Sequence, residues 1–292
     1  MKKYENRFFN STVWNEFAFR DDDIIVASYA KAGTTLVQQM LAQMIFAGKE
    51  DVNLAQLSPW LDSVYPEASV KLKLFEAQNH RRFIKTHLPH DYLPYRPTAK
   101  YLYIMRDGRD IAWSLYRHQC AISENAQQAI KSDSEQSKKL RVIEAPTMSV
   151  VEYFSEWLEQ DGYPFWPFWE NVRSWWQHRD QSNLKLLHFN NLTGDMPGQI
   201  REIADFLDIP LSDSHQQQIL EHCNFDYMKE HAHRYVPETV SIWKDGGRAF
   251  FNRGESGGWK ETLPAELSEK YEAIAREKLG EDCAYWLLTG TG

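Results

Sequence analysis

Ile24-Ile-Val-Ala-Ser-Tyr-Ala-Lys-Ala-Gly-Thr-Thr-Leu-Val-Gln-Gln-Met-Leu-Ala-Gln-Met-Ile-Phe-Ala-Gly48 is the stretch that decides the fold. Its first five residues, Ile24 to Ser28, form a short apolar run rich in β-branched side chains, the pattern of a buried strand. From Val37 the period changes. Val37, Met40, Leu41, Met44 and Ile45 recur at i, i+3, i+4, i+7 and i+8, which is the apolar stripe of a helix, and Gly48 is placed to stop it at C′. Strand, loop and helix therefore follow one another within 25 residues.

Working outward, three more short apolar runs read as strands: 82–86, Tyr101-Leu-Tyr-Ile-Met105 and Leu184-Lys-Leu-Leu-His-Phe189. Helical or mixed sequence separates them, so the expected fold is a single α/β domain over residues 1–292, a central parallel sheet flanked by helices. Ligands in such folds bind beyond the C-terminal ends of the strands. The chain has 292 residues, 42% of them hydrophobic, which excludes a disordered or collagenous polymer. Its 33 Lys and Arg against 41 Asp and Glu give a net charge of −8, which argues against a nucleic-acid polymer or an anionic membrane as partner. Cys120, Cys223 and Cys283 are too few and too scattered for a disulfide framework. With no signal-peptide core and no apolar run of membrane-spanning length, a cytoplasmic location is expected.

The residues after each strand carry the candidate chemistry. In Tyr29-Ala-Lys-Ala-Gly-Thr-Thr35, Gly33 allows close backbone approach, Thr34 and Thr35 bring hydroxyls and amides at a helix N-terminus, and Lys31 brings a charge. An anion fits there. The loop departs from the nucleotide P-loop GxxxxGK, since its lysine precedes its single glycine. His87 in Lys85-Thr-His-Leu-Pro89 lies just past a strand end, where an imidazole of pKa about 6.5 can act as a general base, although a structural histidine has the same pattern. After the third run come Arg106, suited to a phosphate, and Ser114 about two helical turns on. Asp107 admits a Mg²⁺-dependent kinase reading, which the position of Lys31 disfavours. His231 and His233 have no accompanying carboxylate or Cys at ligand spacing, so no metal site is expected. Asn252-Arg-Gly254 and Gly257-Gly-Trp-Lys260 offer a cation and backbone amides for an anion, within a loop expected over 235–260.

These segments together resemble the cytosolic sulfotransferase family, which transfers a sulfuryl group from 3′-phosphoadenosine 5′-phosphosulfate (PAPS) to a hydroxyl or amine, leaving PAP. Residues 29–35 resemble its YPKSGTTW loop, 85–89 match KTHLP, 103–114 resemble its 3′-phosphate segment, and 252–260 resemble RKGxxGDWK. The resemblance implies a P-loop-like site with His87 as base, Lys31 and Lys85 on the transferring group, and Ser114 engaging Lys31 before the acceptor arrives. It further implies cofactor contacts from Lys31, Ala32, Gly33, Thr34, Thr35, Leu36, Arg106, Ser114, Asn190, Cys223, Phe225, Asn252, Arg253 and Gly254, with no metal.

Several positions depart from the family pattern. Leu36 stands where the family stacks a tryptophan on adenine, a task that Phe225 could assume. Asn190, Cys223, Asn252 and Gly258 replace a tyrosine, a threonine, an arginine and an aspartate. The dimer motif KxxxTVxxxE keeps Lys260 and Glu269 but has Pro264-Ala265 at its centre, so a monomer or weak homodimer is expected.

The acceptor implied is a small aromatic or otherwise apolar molecule, contacted by Phe75, His90, Phe168 and the loop at 235–250. The polar stretch from Ser123 to Lys139 and that loop are candidate lids. The aromatic segment 163–176 reads mainly as core. A noncatalytic PAP-binding or PAPS-binding module is the alternative from another class, which the joint presence of Lys31, Lys85 and His87 disfavours.

Overall fold

The computed structural model describes residues 2–50, 52–131, 144–163, 165, 167–236 and 242–291. Its sheet has four parallel strands, β1 (Ile24–Ser28), β2 (Phe83–Thr86), β3 (Lys100–Met105) and β4 (Leu184–His188), in the order β2-β1-β3-β4. Every strand lies within one residue of its expected position. Ile25 pairs with Ile84 on one side and with Tyr101 on the other, and Tyr103 with Leu186.

The two-residue period of a strand sorts its side chains between two cores. Ile25, Ala27, Ile84, Tyr101, Tyr103 and Met105 face one, and Ile24, Val26, Phe83, Leu102 and Ile104 face the other. Helices α1 (Thr34–Ile45), α5 (Met196–Phe206) and α6 (Asp213–His222) cover the second face with Val37, Met40, Leu41, Ile200, Ile203 and Ile219. The first face is covered by α2 (Gly108–Cys120), α3 (Val150–Glu159), α4 (Phe168–Trp176), α7 (Ala265–Leu279) and α8 (Glu281–Thr289). Burying one such Leu, Ile or Phe contributes ~1.5–3 kcal/mol, so removing either helical layer would expose the sheet. Trp14, Trp157 and Trp175 lie fully inside the first core, which absorbs much of the tryptophan content.

α1 ends slightly differently from expectation. Ala47 (φ 50°) takes the first left-handed position and Gly48 (φ 78°) the next, where its amide donates to the Gln43 carbonyl at 3.0 Å. That is the longer bond of a Schellman cap, so Gly48 sits at C″. The expected loop at 235–260 also contains structure, a short extended stretch at Lys244–Gly247 and single 3-10 turns at Arg248–Phe250 and Gly258–Glu261.

The two ends of the sheet differ in character. At the N-terminal edge Arg82 clasps Asp23 through both carboxylate oxygens (2.7 and 2.6 Å), with both side chains almost wholly buried. Such a pair holds only because both charges are desolvated together and bonded in register. At the C-terminal edge the chain leaves β1 for β2 on one side and returns to β3 on the other. That reversal opens a crevice beyond Ser28, where open α/β sheets place their ligands.

Candidate active site

Beyond β1 the backbone turns sharply. Lys31 has φ 68° and Gly33 φ 114°. A Cβ on Gly33 would stand 2.8 Å from Phe189 Cδ2, so conformation and space both require glycine there. Gly33 is the N-cap of α1 and supplies no side-chain cap, leaving first-turn amides directed at the crevice. Thr34 Oγ1 lies 2.6 Å from Ser28 Oγ, which ties the helix start to the strand end.

At the end of β2, Lys85 and His87 flank Thr86, whose hydroxyl donates to buried Asp62. Asp62 also accepts from the indoles of Trp14 (2.9 Å) and Trp60. Burial raises its pKa, opposed by these three bonds and the charge of Lys71. Trp60 packs edge-on to His87 (centroids 4.7 Å apart) and lies 5.6 Å from Lys85 Nζ. His87 Nδ1 is 2.9 Å from the Ser28 carbonyl oxygen and 3.1 Å from Ser28 Oγ. A carbonyl can only accept, so Nδ1 carries the proton and Nε2 the lone pair of the neutral ring. Asn171 of α4 donates to the His87 carbonyl (2.9 Å), holding the segment against the sheet.

Beyond β3, Arg106 is buried with its guanidinium 4.4 Å from the Phe189 ring centroid. One of its terminal nitrogens, Nη2, donates to the Glu255 carbonyl and lies 3.5 Å from Asp110 Oδ1. Asp110 in turn accepts the Gly257 amide at 2.9 Å, so α2 grips the glycine-rich loop. Arg109, clamped to Asp107 and lying over Trp259 (3.9 Å), holds the same loop further on. Gly254 has φ 70°, and a Cβ there would meet Phe225 at 2.3 Å. Asn190 accepts from Ser256 (2.5 Å), while Arg253 lies over Trp113 (5.4 Å) and pairs with Glu261 (3.2 Å). Arg106 Nε and Asn252 Nδ2 are buried donors without a hydrogen-bond acceptor among the described residues. Two unmet donors beside glycine cradles suit a bound phosphate.

The electrostatics converge on Lys31. Its pKa is lowered to about 7 by burial and then by the charges of Lys85 and Arg106. His118, one turn beyond Ser114 on α2, has Nδ1 3.5 Å from Lys31 Nζ and is held well below its usual pKa by burial, Lys31 and Lys85. Phe250 caps this pair, 4.3 Å from the ammonium and 5.6 Å from the imidazole, with Trp243 5.4 Å from His118. Cations that suppress one another's protonation form a site for an anion.

Lys31, Gly33, Thr34, Lys85, His87, Arg106 and the 252–257 segment thus meet at one edge of the sheet, with Ala32 and Ser114 buried beside them and Thr35 and Leu36 opening α1. Lys31 faces His118 and not Ser114. His118 was missed because its approach to Lys31 depends on where α2 lies beside the loop after β1, as was Phe189, which spaces Gly33 from Arg106. Phe75 is a core residue at the opposite edge, packed on Phe17 (5.6 Å), with its carbonyl accepting from Arg82 (3.4 Å). Phe168 is wholly buried between Tyr29 (5.2 Å) and Trp157 (4.9 Å). His90 points away from the crevice and stacks on His178 (3.7 Å). Cys223 is sealed in the second core, whereas Phe225 is partly exposed at the Gly254 turn. Residues 132–139 of the proposed lid at 123–139, and residues 237–241 of the second, lie outside the described residues.

The chain is similar to known proteins in sequence and fold. Residues 21–282 match the model of the sulfotransferase domain family. A Mycobacterium tuberculosis glycolipid sulfotransferase is 26% identical over 307 residues, covering 98% of this chain and 94% of its own. The luciferin sulfotransferase of Photinus pyralis is 28% identical, covering 90% and 73%. In structure, retinol dehydratase in complex with androsterone and PAP superposes with a TM-score of 0.73 at 24% identity, over 92% of this chain and 84% of that one. With nine-tenths of its length inside that domain model and the site's four segments at one sheet edge, the chain belongs to the sulfotransferase family.

Proposed function

We propose that this protein transfers a sulfuryl group from PAPS to a hydroxyl or amine of a small aromatic or apolar acceptor, with His87 as general base. The observation that carries the reading is the orientation of His87. Its Nδ1–H is engaged by the Ser28 carbonyl, which directs the Nε2 lone pair to the proton it removes. Bound PAPS would supply the electrophilic sulfuryl group and depart as PAP. The first-turn amides of α1 and Lys31 hold the 5′ end, and Arg106 Nε, Asn252 Nδ2, Ser114 and Arg253 hold the 3′-phosphate. Lys31 and Lys85 stabilise charge that develops during transfer, as preorganised cations in a site partly closed to water. Two lysines in place make a metal unnecessary for that role.

Apolar walls at Phe250 and Trp243 support an apolar acceptor, as do relatives that bind or are named for retinol, androsterone and luciferin. His118 lines the same wall and offers a polar group that can orient the acceptor. We place the protein in the cytoplasm on its three free cysteines. No helix among the described residues is long and apolar enough to cross a membrane. Pro264 immediately before α7 interrupts the motif for pairing, which favours a monomer or weak homodimer. Incubation with PAPS and a panel of phenols, sterols and amines, followed by PAP release, tests the reading. Turnover with at least one acceptor is expected; PAP binding without transfer to any of them would favour a noncatalytic binder.

A further inference from the structure

On the first-core side of the domain, away from the crevice, two imidazoles and a carboxylate meet. His90 and His178 stack at 3.7 Å between centroids, tilted by 26°. His90 Nδ1 and His178 Nε2 each lie 3.9 Å from the same oxygen, Asp91 Oδ1, and the three ligand atoms fall within 4.8 Å of one another. The other carboxylate oxygen, Oδ2, is held by Lys2 Nζ at 3.1 Å. The two oxygens therefore have separate tasks, one on a cation of the chain and one facing the imidazoles.

We propose that His90, Asp91 and His178 bind one divalent transition-metal ion, zinc in the first instance, at a site independent of sulfuryl transfer. Zinc takes imidazole nitrogen and carboxylate oxygen at about 2.0–2.2 Å, which places tetrahedral ligand atoms about 3.3–3.5 Å apart. The observed 3.9 Å separations lie near that distance, and binding requires the two stacked rings to splay by side-chain rotation so that both lone pairs converge on one ion. Solvent supplies the remaining ligand, since Asp91 and His178 are 39% and 33% exposed. The two-nitrogen, one-oxygen donor set suits zinc, copper(II) or nickel(II) and disfavours magnesium or calcium, which take oxygen.

The support around the ligands is firm. The His90 backbone amide donates to Ser174 Oγ (3.0 Å), and its ring lies edge-on to Trp175 (5.0 Å), both on α4. His178 follows α4 by two residues, so one helix organises both imidazoles. Gln181 supplies the outer contact, its amide nitrogen 3.0 Å from His178 Nδ1. In that orientation the His178 proton sits on Nε2. Turning the amide over brings Oε1 to accept Nδ1–H and leaves the Nε2 lone pair for the metal. Gln181 Oε1 is buried without a partner among the described residues, so the turn breaks no bond of that oxygen. A metal here would staple the segment that carries His87 to α4.

The test is calorimetric titration of the EDTA-treated full chain with zinc chloride, paired with the visible absorption of the cobalt(II) form. One saturable site per chain is expected, with cobalt bands of four- or five-coordinate nitrogen and oxygen ligation. His178→Gln and Asp91→Asn should each weaken binding by about 10-fold or more, and Gln181→Leu by about 10-fold. All three positions have surface access, and far-ultraviolet circular dichroism verifies that each variant folds. Magnesium chloride should give no heat of binding. Absence of a saturable site, binding unchanged by His178→Gln, or binding lost instead with His231→Ala and His233→Ala would overturn the proposal.

Discussion

His87 Nδ1 lies 2.9 Å from the carbonyl oxygen of Ser28, the last residue of the neighbouring strand. The backbone of β1 thus sets the tautomer of the proposed base, and no second side chain is needed to orient it. Ser28 Oγ, 3.1 Å from the same nitrogen and 2.6 Å from Thr34 Oγ1, adds to this hold without creating it. Ser28→Ala should therefore lower kcat by less than about 10-fold, the worth of one neutral hydrogen bond. Steady-state kinetics with PAPS checks this, and a loss as large as that of His87→Ala would mean that the hydroxyl is the orienting group.

If Lys31 holds the nucleotide as proposed, binding is linked to its protonation. Its folded pKa of about 7 lies below the ordinary lysine value of 10.5 because of burial and then the charges of Lys85 and Arg106. Between these values the unfolded chain holds more protons than the folded one, so this group makes stability rise with pH from about 7 to about 10.5. Below about 7 both states are protonated and its destabilising effect is complete. A bound anion draws the proton back, so PAP binding at pH 8 should take up a proton, up to one per chain. Calorimetry in buffers of differing ionisation enthalpy measures the uptake; identical heats in all buffers would contradict it.

Gly33 tests the loop geometry. At φ 114°, with a Cβ falling 2.8 Å from Phe189, Gly33→Ala strains the backbone and presses Phe189 towards Arg106. The substitution should cost ~1–3 kcal/mol of stability and weaken PAP binding by at least about 10-fold. Urea denaturation and calorimetry report the two effects. Unchanged PAP affinity would show that the loop does not cradle the phosphate.

His118 should matter to the acceptor more than to the nucleotide. Its contact with Lys31 is long, 3.5 Å, and its ring lies against Trp243 and Phe250. His118→Phe keeps the apolar wall and removes the polar contact. A fall in kcat/KM of roughly 5-fold to 10-fold is expected, with PAP affinity held within about 2-fold. A matching loss of PAP affinity would place His118 in the nucleotide site instead.

The sheet and most of the anion site were legible because their signals are local. Strand, glycine turn and helix follow one another from Ile24 to Ile45; Lys85 is the penultimate residue of β2, His87 and Arg106 directly follow a strand, and Lys31 lies in the loop after β1. Contacts between distant segments were not legible. Asp110 receives the Gly257 amide across 147 residues, and Lys31 meets His118 across 87, in preference to Ser114 one turn earlier. A one-turn choice on α2 depends on how that helix packs on β3, which no motif encodes. Phe75 failed for a similar reason. Its apolar character suits a pocket and a core equally, and only the register of Arg82 with Asp23 puts it at the far edge. His90 and His178, 88 positions apart, have no ligand spacing to be read.

The central claim is that His87 removes the acceptor proton during sulfuryl transfer. Single-turnover transfer from radiolabelled PAPS to an acceptor that the wild-type protein sulfates, compared with His87→Ala, tests it most directly. The transfer rate should fall by about 10²-fold or more while PAP affinity stays within about 2-fold. Transfer at an undiminished rate in His87→Ala would contradict the assignment.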